Sequence, residues 1–393
     1  MGTKENGPNE QMAVPKWGIG RKEPYIKSVE NTGNVLVFPS TVGKTVATGI
    51  ADKFEIKGKS NIRKLIEEVV IPEGYTYIGE EAFANCSKLK KITLPSTITK
   101  IGKSAFSSCS GLESITIPGS VESIGEWSFA FCKALKNLEI DNGVLSIESY
   151  AFYECKKLTD VIIPDSMQTI RSGAFSTCTN LKNIQLPETV VLDGSEIFKE
   201  CRKLADRSGF IAFHNIVYDY IGEDSEAVIP QGVKKIEASA FQNNKTMRSI
   251  TIPESVTEIG AFAFQCSNIR QISIPKKVTV IQVNTFCNCP YLKTAEIPNG
   301  IMEIREGAFK NCHELKTIEL PESVQEIGAK VFSCDLQNAP SKTIVIRNPD
   351  ITMDKTCLAG CKKYTIYAPE GSLASQFAPS WTKPLQEYDK TSE

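Results

Sequence analysis

Thirteen cysteines are the residues of this chain best suited to chemistry, because thiolates bind zinc, form disulfides and act as nucleophiles. Six of them recur at intervals of 23 residues: Cys86, Cys109, Cys132, Cys155, Cys178 and Cys201. One cysteine per repeat does not bring four zinc ligands together. On adjacent parallel strands, about 4.8 Å apart, equivalent Cβ atoms exceed the roughly 3.8 Å separation of a disulfide. The pattern therefore favours a buried column of free thiols, with a few disulfides as the second alternative and a zinc site as the last.

Four cysteines break this column and are the first candidates for a reactive thiol: Cys287, Cys289, Cys357 and Cys361. The chain has two histidines that could assist a thiol. His214 lies at the tip of a predicted hairpin, and His313 follows Cys312 and is expected to be exposed and without a role. Because no nucleophile is predicted beside either imidazole, Cys–His catalysis is not predicted.

Acidic residues such as Glu139, Glu296 and Glu319 occupy single positions of a repeat, which is typical of solvated strand residues. The sequence contains no phosphate-binding loop, dinucleotide fingerprint or metal-binding helix. We therefore predict no catalytic residue, no cofactor and no metal site, and hence no enzyme. A hydrolase acting on surface polymers is the least favoured alternative.

The elements that position these residues follow the same period. Six phenylalanines precede the cysteines by three residues: Phe83, Phe106, Phe129, Phe152, Phe175 and Phe198. Within one repeat, Ile92 and Leu94 alternate with polar residues, which predicts a strand with one buried face. Pro95 ends that strand, and Gly102 is expected to allow a sharp bend. The segment 104–109 has the length and spacing of one helical turn, α or 3₁₀.

A single repeat cannot be stable, because ordering 23 residues costs more backbone entropy than its few buried side chains recover. Repeats must therefore stack and cover one another. We predict an α/β solenoid of about 12–13 repeats, with parallel strands on one face and short helical or 3₁₀ turns on the other.

The period also suggests boundaries. Residues 1–34 are predicted to be a tail and the start of a cap, residues 35–361 the solenoid, and residues 362–393 a C-terminal cap with Trp381 as its plug. Within the solenoid, residues 205–226 depart from the repeat and are predicted to form a hairpin. We refer to this segment as the hairpin repeat.

Charge and hydropathy exclude several partners. The net charge is −1, which does not favour nucleic acid. No stretch approaches the roughly 18 apolar residues of a membrane span. The first residues lack the apolar core of a signal peptide. The chain is expected to be a monomer.

The outward positions on the first strand of each repeat form what we call the polar ribbon, consisting of the pairs Lys91/Thr93, Ser114/Thr116, Asn137/Glu139, Asp160/Ile162, Asn183/Gln185, Ser249/Thr251, Gln271/Ser273, Thr294/Glu296 and Thr317/Glu319. We take ten of its members as candidate partner-binding residues: Lys91, Thr93, Asn137, Glu139, Asp160, Asn183, Gln185, Gln271, Glu296 and Glu319. An ordinary solvated face is the alternative interpretation. Tyr218 and Tyr220, in the aromatic group of the hairpin repeat, are two further candidates, with local core packing as their alternative.

The combined motif, Ile-Pro, Val-x-x-Ile-Gly and Ala-Phe-x-x-Cys, resembles the BspA-like leucine-rich repeat family over roughly residues 35–361. The resemblance implies a bacterial surface or secreted protein, with adhesion to matrix proteins or other cells in some members, and no shared catalytic residue. The leading hypothesis is a scaffold that binds a protein or glycan along the polar ribbon. A structural spacer or assembly module is the alternative.

Overall fold

The computed structural model describes residues 16–19, 24–30, 33–57, 61–335, 341–361, 363–377, 380 and 382–392. The chain forms two compact units, Met1–Ile197 and Phe198–Glu393, called here the N-terminal and the C-terminal unit. Both are β-solenoids. The chain makes about 14 turns of roughly 23 residues with few helices, slightly more turns than the 12–13 predicted.

Two columns of short strands form the N-terminal unit. The first column contains β3 (Val35–Val37), β7 (Glu68–Val70), β9 (Lys91–Thr93), β11 (Ser114–Ile117), β13 (Asn137–Ile140), β15 (Asp160–Ile162) and β17 (Asn183–Gln185). The second is a nine-stranded sheet in the order β1 (Lys16–Ile19), β2 (Tyr25–Glu30), β6 (Gly49–Lys57), β8 (Tyr77–Ile78), β10 (Lys100–Ile101), β12 (Ser123–Ile124), β14 (Ser146–Ile147), β16 (Thr169–Arg171) and β18 (Val191–Asp193).

The segment predicted as a tail and the start of a cap contributes β1 and β2 to this sheet. These two strands pair antiparallel, and β2 then pairs parallel with β6. A small hairpin of β4 (Thr41–Val42) and β5 (Thr45–Val46) and a 3₁₀ helix at Ile62–Leu65 complete the unit.

The C-terminal unit repeats the two columns. The first contains β21 (Glu226–Val228), β23 (Ser249–Thr251), β25 (Gln271–Ser273), β27 (Thr294–Glu296), β29 (Thr317–Leu320), β31 (Lys342–Ile346), β33 (Tyr364–Ala368) and β34 (Thr382–Pro384). The second contains β20 (Ile216–Tyr220), β22 (Lys235–Ile236), β24 (Glu258–Ile259), β26 (Val280–Ile281), β28 (Glu303–Ile304), β30 (Glu326–Ile327) and β32 (Thr352–Met353).

The hairpin repeat forms the antiparallel pair predicted for it, between β19 (Phe210–Phe213) and β20. A 3₁₀ helix at Arg202–Leu204 precedes this pair. At the other end of the unit, α1 (Leu373–Phe377) and α2 (Leu385–Ser392) accompany β33 and β34. The predicted plug, Trp381, lies outside the described residues.

A single repeat shows how the sequence builds these columns. In β9, Lys91 and Thr93 are exposed and Ile92 is 5% exposed, the alternation expected of a strand with one buried face. Gly102 follows β10, but its φ is not positive, so the predicted bend is not its role. A Cβ there would lie 2.6 Å from the backbone nitrogen of Glu80. Glycine is therefore needed because two repeats approach too closely for a side chain.

The predicted helical turn is absent from residues 104–109, and the α/β description is not confirmed. Alternate amides point in different directions. The N–H groups of Ser104, Phe106 and Ser108 donate to carbonyls of the next repeat, whereas those of Ala105, Ser107 and Cys109 close local turns. An α-helix needs every amide to bond within its own segment, so it cannot form here.

Left-handed residues make this arrangement possible. Ser104 and Ser108 have φ of 54° and 62°, and Trp127 and Phe131, one repeat later, have φ of 57° and 62°. Such a conformation costs non-glycine residues about 1–2 kcal/mol each. The hydrogen bonds to the next repeat offset this cost, which explains why the conformation recurs in successive repeats.

The core contains the two predicted columns. Phe129 is fully buried, and its ring stacks on Phe106 at 5.1 Å and on Phe152 at 5.5 Å between centroids. All thirteen cysteines are free, and most are buried. The buried column of thiols is therefore confirmed.

Replacing Phe129 should destabilise the N-terminal unit strongly. Phe129→Ala removes a buried ring and both of its stacking contacts, and we expect a loss of about 3–5 kcal/mol in the free energy of unfolding. Urea denaturation measures this loss, and Cys132→Ala, which removes a smaller side chain from the same repeat, should cost less. An unchanged midpoint for Phe129→Ala would contradict the packing register.

The thiol column should make stability fall at alkaline pH. Burial raises the pKa of Cys132 and Cys178 from 9.0 to about 12, because the thiolate is excluded from the core. The contribution of these two thiols to the free energy of unfolding is complete below pH 9. It is lost between pH 9 and 12, by about 1.4 kcal/mol per pH unit for each thiol. Urea midpoints at pH 8 and 10 should show a smaller decline for the Cys132→Ala/Cys178→Ala variant. An equal decline in the variant and the wild type would refute the assignment of this pH dependence to the two thiols.

Candidate partner-binding surface

The first strand column places the polar ribbon on one face of each unit. In the N-terminal unit, parallel pairing brings Ser114, Asn137, Asp160 and Asn183 into one row. A second row contains Thr116 beside Glu139, and Ile162 beside Gln185. The seven candidates of this unit, Lys91, Thr93, Asn137, Glu139, Asp160, Asn183 and Gln185, are all exposed.

Side chains of neighbouring repeats contact each other along these rows. Thr116 donates a hydrogen bond to Glu139 at 3.0 Å, and Asn183 donates to Asp160 at 2.5 Å. The hydrogen bond from Asn183 lowers the pKa of Asp160, because it stabilises the ionised carboxylate. The ribbon thus presents a partly ordered line of hydrogen-bonding groups.

Grooves open on the ribbon in both units. The groove of the N-terminal unit has a volume of about 500 Å³ and is lined by ribbon residues Lys91, Thr93, Ser114 and Thr116, with Asp141 beside them. In the C-terminal unit, a groove of about 390 Å³ is lined by the ribbon residues Thr251, Gln271, Ser273, Thr294 and Glu296. Four of the predicted candidates (Lys91, Thr93, Gln271 and Glu296) therefore line grooves.

Glu319 has a different environment from the other candidates. Its carboxylate accepts a hydrogen bond from the hydroxyl of Tyr388 on α2 at 2.7 Å and lies 3.2 Å from the guanidinium of Arg347. Half of its side chain remains exposed. The C-terminal helix therefore occupies this end of the ribbon.

The aromatic candidates of the hairpin repeat belong to the core, and their proposed contact role is a correction to the sequence prediction. Tyr218 is 2% exposed and Tyr220 5% exposed. Tyr218 packs edge-on against Phe198, and Tyr220 lies 4.7 Å from Phe210 and 5.3 Å from Phe241 between ring centroids. The rings fill the space left where the repeat is interrupted, so neither tyrosine reaches a partner.

A carboxylate in the same repeat replaces a missing backbone carbonyl. In a regular repeat, the amide of Glu154 donates to the carbonyl of Ser176. The corresponding amide of Glu200 donates to the Asp219 side chain at 3.1 Å. Asp219 is 3% exposed, and Lys199 pairs with it at 2.9 Å. This pair, in which Asp219 is buried and Lys199 partly buried, connects the hairpin to the regular repeats.

The sequence analysis missed an aromatic cluster on the turn side of the N-terminal unit. Trp127, Phe131, Tyr150 and Tyr153 occupy two consecutive repeats and are all half-buried. Trp127 stacks on Tyr150 with 4.4 Å between centroids, and Tyr153 meets the Trp127 ring edge-on at 5.5 Å. Their signal in the sequence was the presence of aromatic residues where most other repeats have small or polar residues, such as Ser104 and Gly173.

Apolar side chains also interrupt the strand face. Val37, Ile162 and Val228 are 56%, 63% and 60% exposed, and Val70 lies beside Val37 in the paired strands. The sequence analysis placed Ile162 at an outward position of the ribbon but did not single out the valines, because in a strand pattern an isolated valine resembles a core residue. They add apolar area to a face of mostly polar groups.

Two features are absent from the described part of the chain. There, no three His, Cys, Asp or Glu side chains converge as metal ligands. None of the described helices has the length and hydrophobicity to cross a membrane.

Stacked parallel strands, a repeated Ile-Pro and a buried Phe column define a β-solenoid of the leucine-rich repeat class. The family model for the BspA type leucine rich repeat region matches residues 56–156, 145–210 and 212–337, which is more than half of the chain. The chain belongs to this family.

Solved structures agree with the fold. A leucine-rich repeat protein from Bacteroides ovatus is 21% identical with a TM-score of 0.55, over 94% of this chain and 97% of that one. The pneumococcal vaccine antigen PcpA is 19% identical with a TM-score of 0.59, over 91% and 90% of the two chains. At this identity the likeness concerns the fold alone. No curated protein matches the sequence.

Removing the Asp219 carboxylate should destabilise the C-terminal unit. Asp219→Ala leaves the Lys199 ammonium partly buried and the Glu200 amide without its acceptor, and we expect a loss of about 3–5 kcal/mol. The double variant Asp219→Ala/Lys199→Met should be less destabilised, because it leaves no uncompensated charge. Urea denaturation compares the two. The single variant Lys199→Met completes the comparison. If the double variant loses as much unfolding free energy as the two single variants together, the pair is not coupled.

Proposed function

We propose that the protein is a non-catalytic repeat scaffold that binds a macromolecular partner, a protein or a glycan, along the polar ribbon. The observation that carries this proposal is that a groove opens on the ribbon in each unit and is lined by ribbon residues. Repeat proteins commonly use such extended surfaces for binding. A cell-surface or secreted location, typical of the BspA type, fits this function.

The charge pattern of the ribbon favours a contact of many weak interactions. Lys91 pairs with Glu68 at 3.4 Å, and Lys90 pairs with Glu67 at 3.2 Å. Such exposed pairs contribute little energy each and cancel the local field. A partner would therefore be held by hydrogen bonds spread along several repeats, with exposed Ile162 and Val228 adding apolar contacts.

Binding assays with groove variants test the proposal. The full chain would be screened by biolayer interferometry against matrix proteins, purified glycans and bacterial envelope preparations. For a confirmed partner, we expect Lys91→Ala/Thr93→Ala or Gln271→Ala/Glu296→Ala to weaken affinity about tenfold, or about 1.4 kcal/mol. The control, Glu122→Ala/Gln168→Ala, changes exposed residues outside the ribbon and should bind like the wild type.

Thermal unfolding verifies that all variants fold. Unchanged affinity in both groove variants would remove the ribbon from consideration. In that case Trp127→Ala shows whether the aromatic cluster is the contact surface, since large aromatic side chains often dominate binding energy.

A further inference from the structure

Most thiols of the column share one contact, and it includes Cys289 and Cys361, which were expected to break the column. Each Sγ donates a hydrogen bond of 3.0–3.3 Å to the carbonyl of the column residue in the preceding repeat, in the pairs Cys109–Phe83, Cys132–Phe106, Cys155–Phe129, Cys178–Phe152, Cys289–Phe264, Cys312–Phe286 and Cys361–Phe332. A peptide carbonyl does not take up the thiol proton. These cysteines are therefore held in the neutral, unreactive form.

Cys334 departs from this pattern because of its spacing. It follows Phe332 by two residues, where the column spacing is three. Its Sγ lies 3.5 Å from Nδ1 of His313. A thiol proton can pass to an imidazole nitrogen at this distance, so the pair has the geometry of a nucleophile with its base.

His313 is a neutral imidazole that lies against the Cys334 thiol. The sequence predicted it to be exposed and without a role, but the structure makes it half-buried and in contact with Cys334. Burial, together with the positive charge of Lys342, lowers the pKa of His313, while Asp335 opposes this shift. The imidazole is therefore neutral at pH 7 and has a free lone pair for the thiol.

Lys342 supplies a cation beside the thiol. It is 5% exposed, and its ammonium donates to the carbonyls of Cys312 at 2.7 Å and Leu315 at 3.0 Å. These partners are neutral, so they leave its charge uncompensated. Burial lowers the pKa of Lys342, and the thiols of Cys312, Cys361 and Cys334 oppose this shift. A nearby cation stabilises a thiolate.

We propose that Cys334 is a reactive thiol site for small hydroperoxides, with His313 as its base and Lys342 as the cation that stabilises the thiolate. The thiolate sulfur attacks one peroxide oxygen, an S–O bond forms and the O–O bond breaks. Cys334 is oxidised to sulfenic acid, and the hydroperoxide is reduced. The leaving oxygen takes the proton from the His313 imidazolium and departs as water or an alcohol.

Cys266 provides a matched control within the same unit. It also follows its phenylalanine, Phe264, by two residues, and it is half-exposed whereas Cys334 is 3% exposed. Ser267, three residues after Phe264, occupies the position that a cysteine has in the column. Its Oγ lies 3.4 Å from the Sγ of Cys289. If exposure alone governed reactivity, Cys266 would react before Cys334.

The test uses the full, reduced chain with substoichiometric hydrogen peroxide, followed by dimedone labelling and peptide mass spectrometry of all thirteen sites. We expect Cys334 to be labelled at least tenfold faster than Cys266 and Cys312 at pH 7. His313→Asn should slow the labelling of Cys334 at least tenfold and leave the labelling rate of Cys266 unchanged.

Two results would overturn the proposal. One is faster labelling of Cys266 or Cys361 than of Cys334 in the wild type. The other is an unchanged or increased rate at Cys334 in His313→Asn, since this would mean that the imidazole only covers the sulfur. Lys342→Met removes a buried side chain and can unfold the end of the unit, so His313→Asn, at a half-buried position, is the deciding variant.

Discussion

Each repeat satisfies its backbone hydrogen bonds through the repeats beside it, and the rest of the structure depends on this constraint. The strands of both columns pair across a distance of one repeat, as Ser114 does with Asn137 and Lys100 with Ser123. On the turn side, every second amide does the same. Buried amides and carbonyls without partners are costly, so the repeats must stay in register. The stacking of phenylalanines and the column of thiols follow from that register.

The same constraint explains why departures from the repeat are concentrated in a few places. Where the hairpin repeat offers no carbonyl to Glu200, the Asp219 side chain replaces it. Where the spacing after Phe332 is shortened, the sulfur of Cys334 leaves the common contact and meets an imidazole. Side chains at outward positions do not take part in this hydrogen bonding between repeats. Trp127 and Tyr150 can therefore occupy sites that hold a serine or a glycine in adjacent repeats.

Much of the fold could be predicted from local patterns. The alternation around Ile92 and the 23-residue period of Phe and Cys directly reflect burial, so the strands and both core columns were found. The conformation of residues 104–109 was not predicted, because their spacing also suits a helical turn. Which conformation forms depends on hydrogen bonds to another repeat. For the candidate surface, exposure of the ribbon followed from alternation. The grooves, the burial of Tyr218 and the contact between His313 and Cys334 depend on side-chain directions that spacing does not encode.

The dependence of each repeat on its neighbours also determines how the chain responds to force. Within each unit, tension applied along the chain detaches the repeat at an end first, because only one side of it is held. A detached repeat of about 23 residues extends to roughly 80 Å. The remaining repeats keep their mutual contacts and their part of the ribbon. Such a chain lengthens in steps under load.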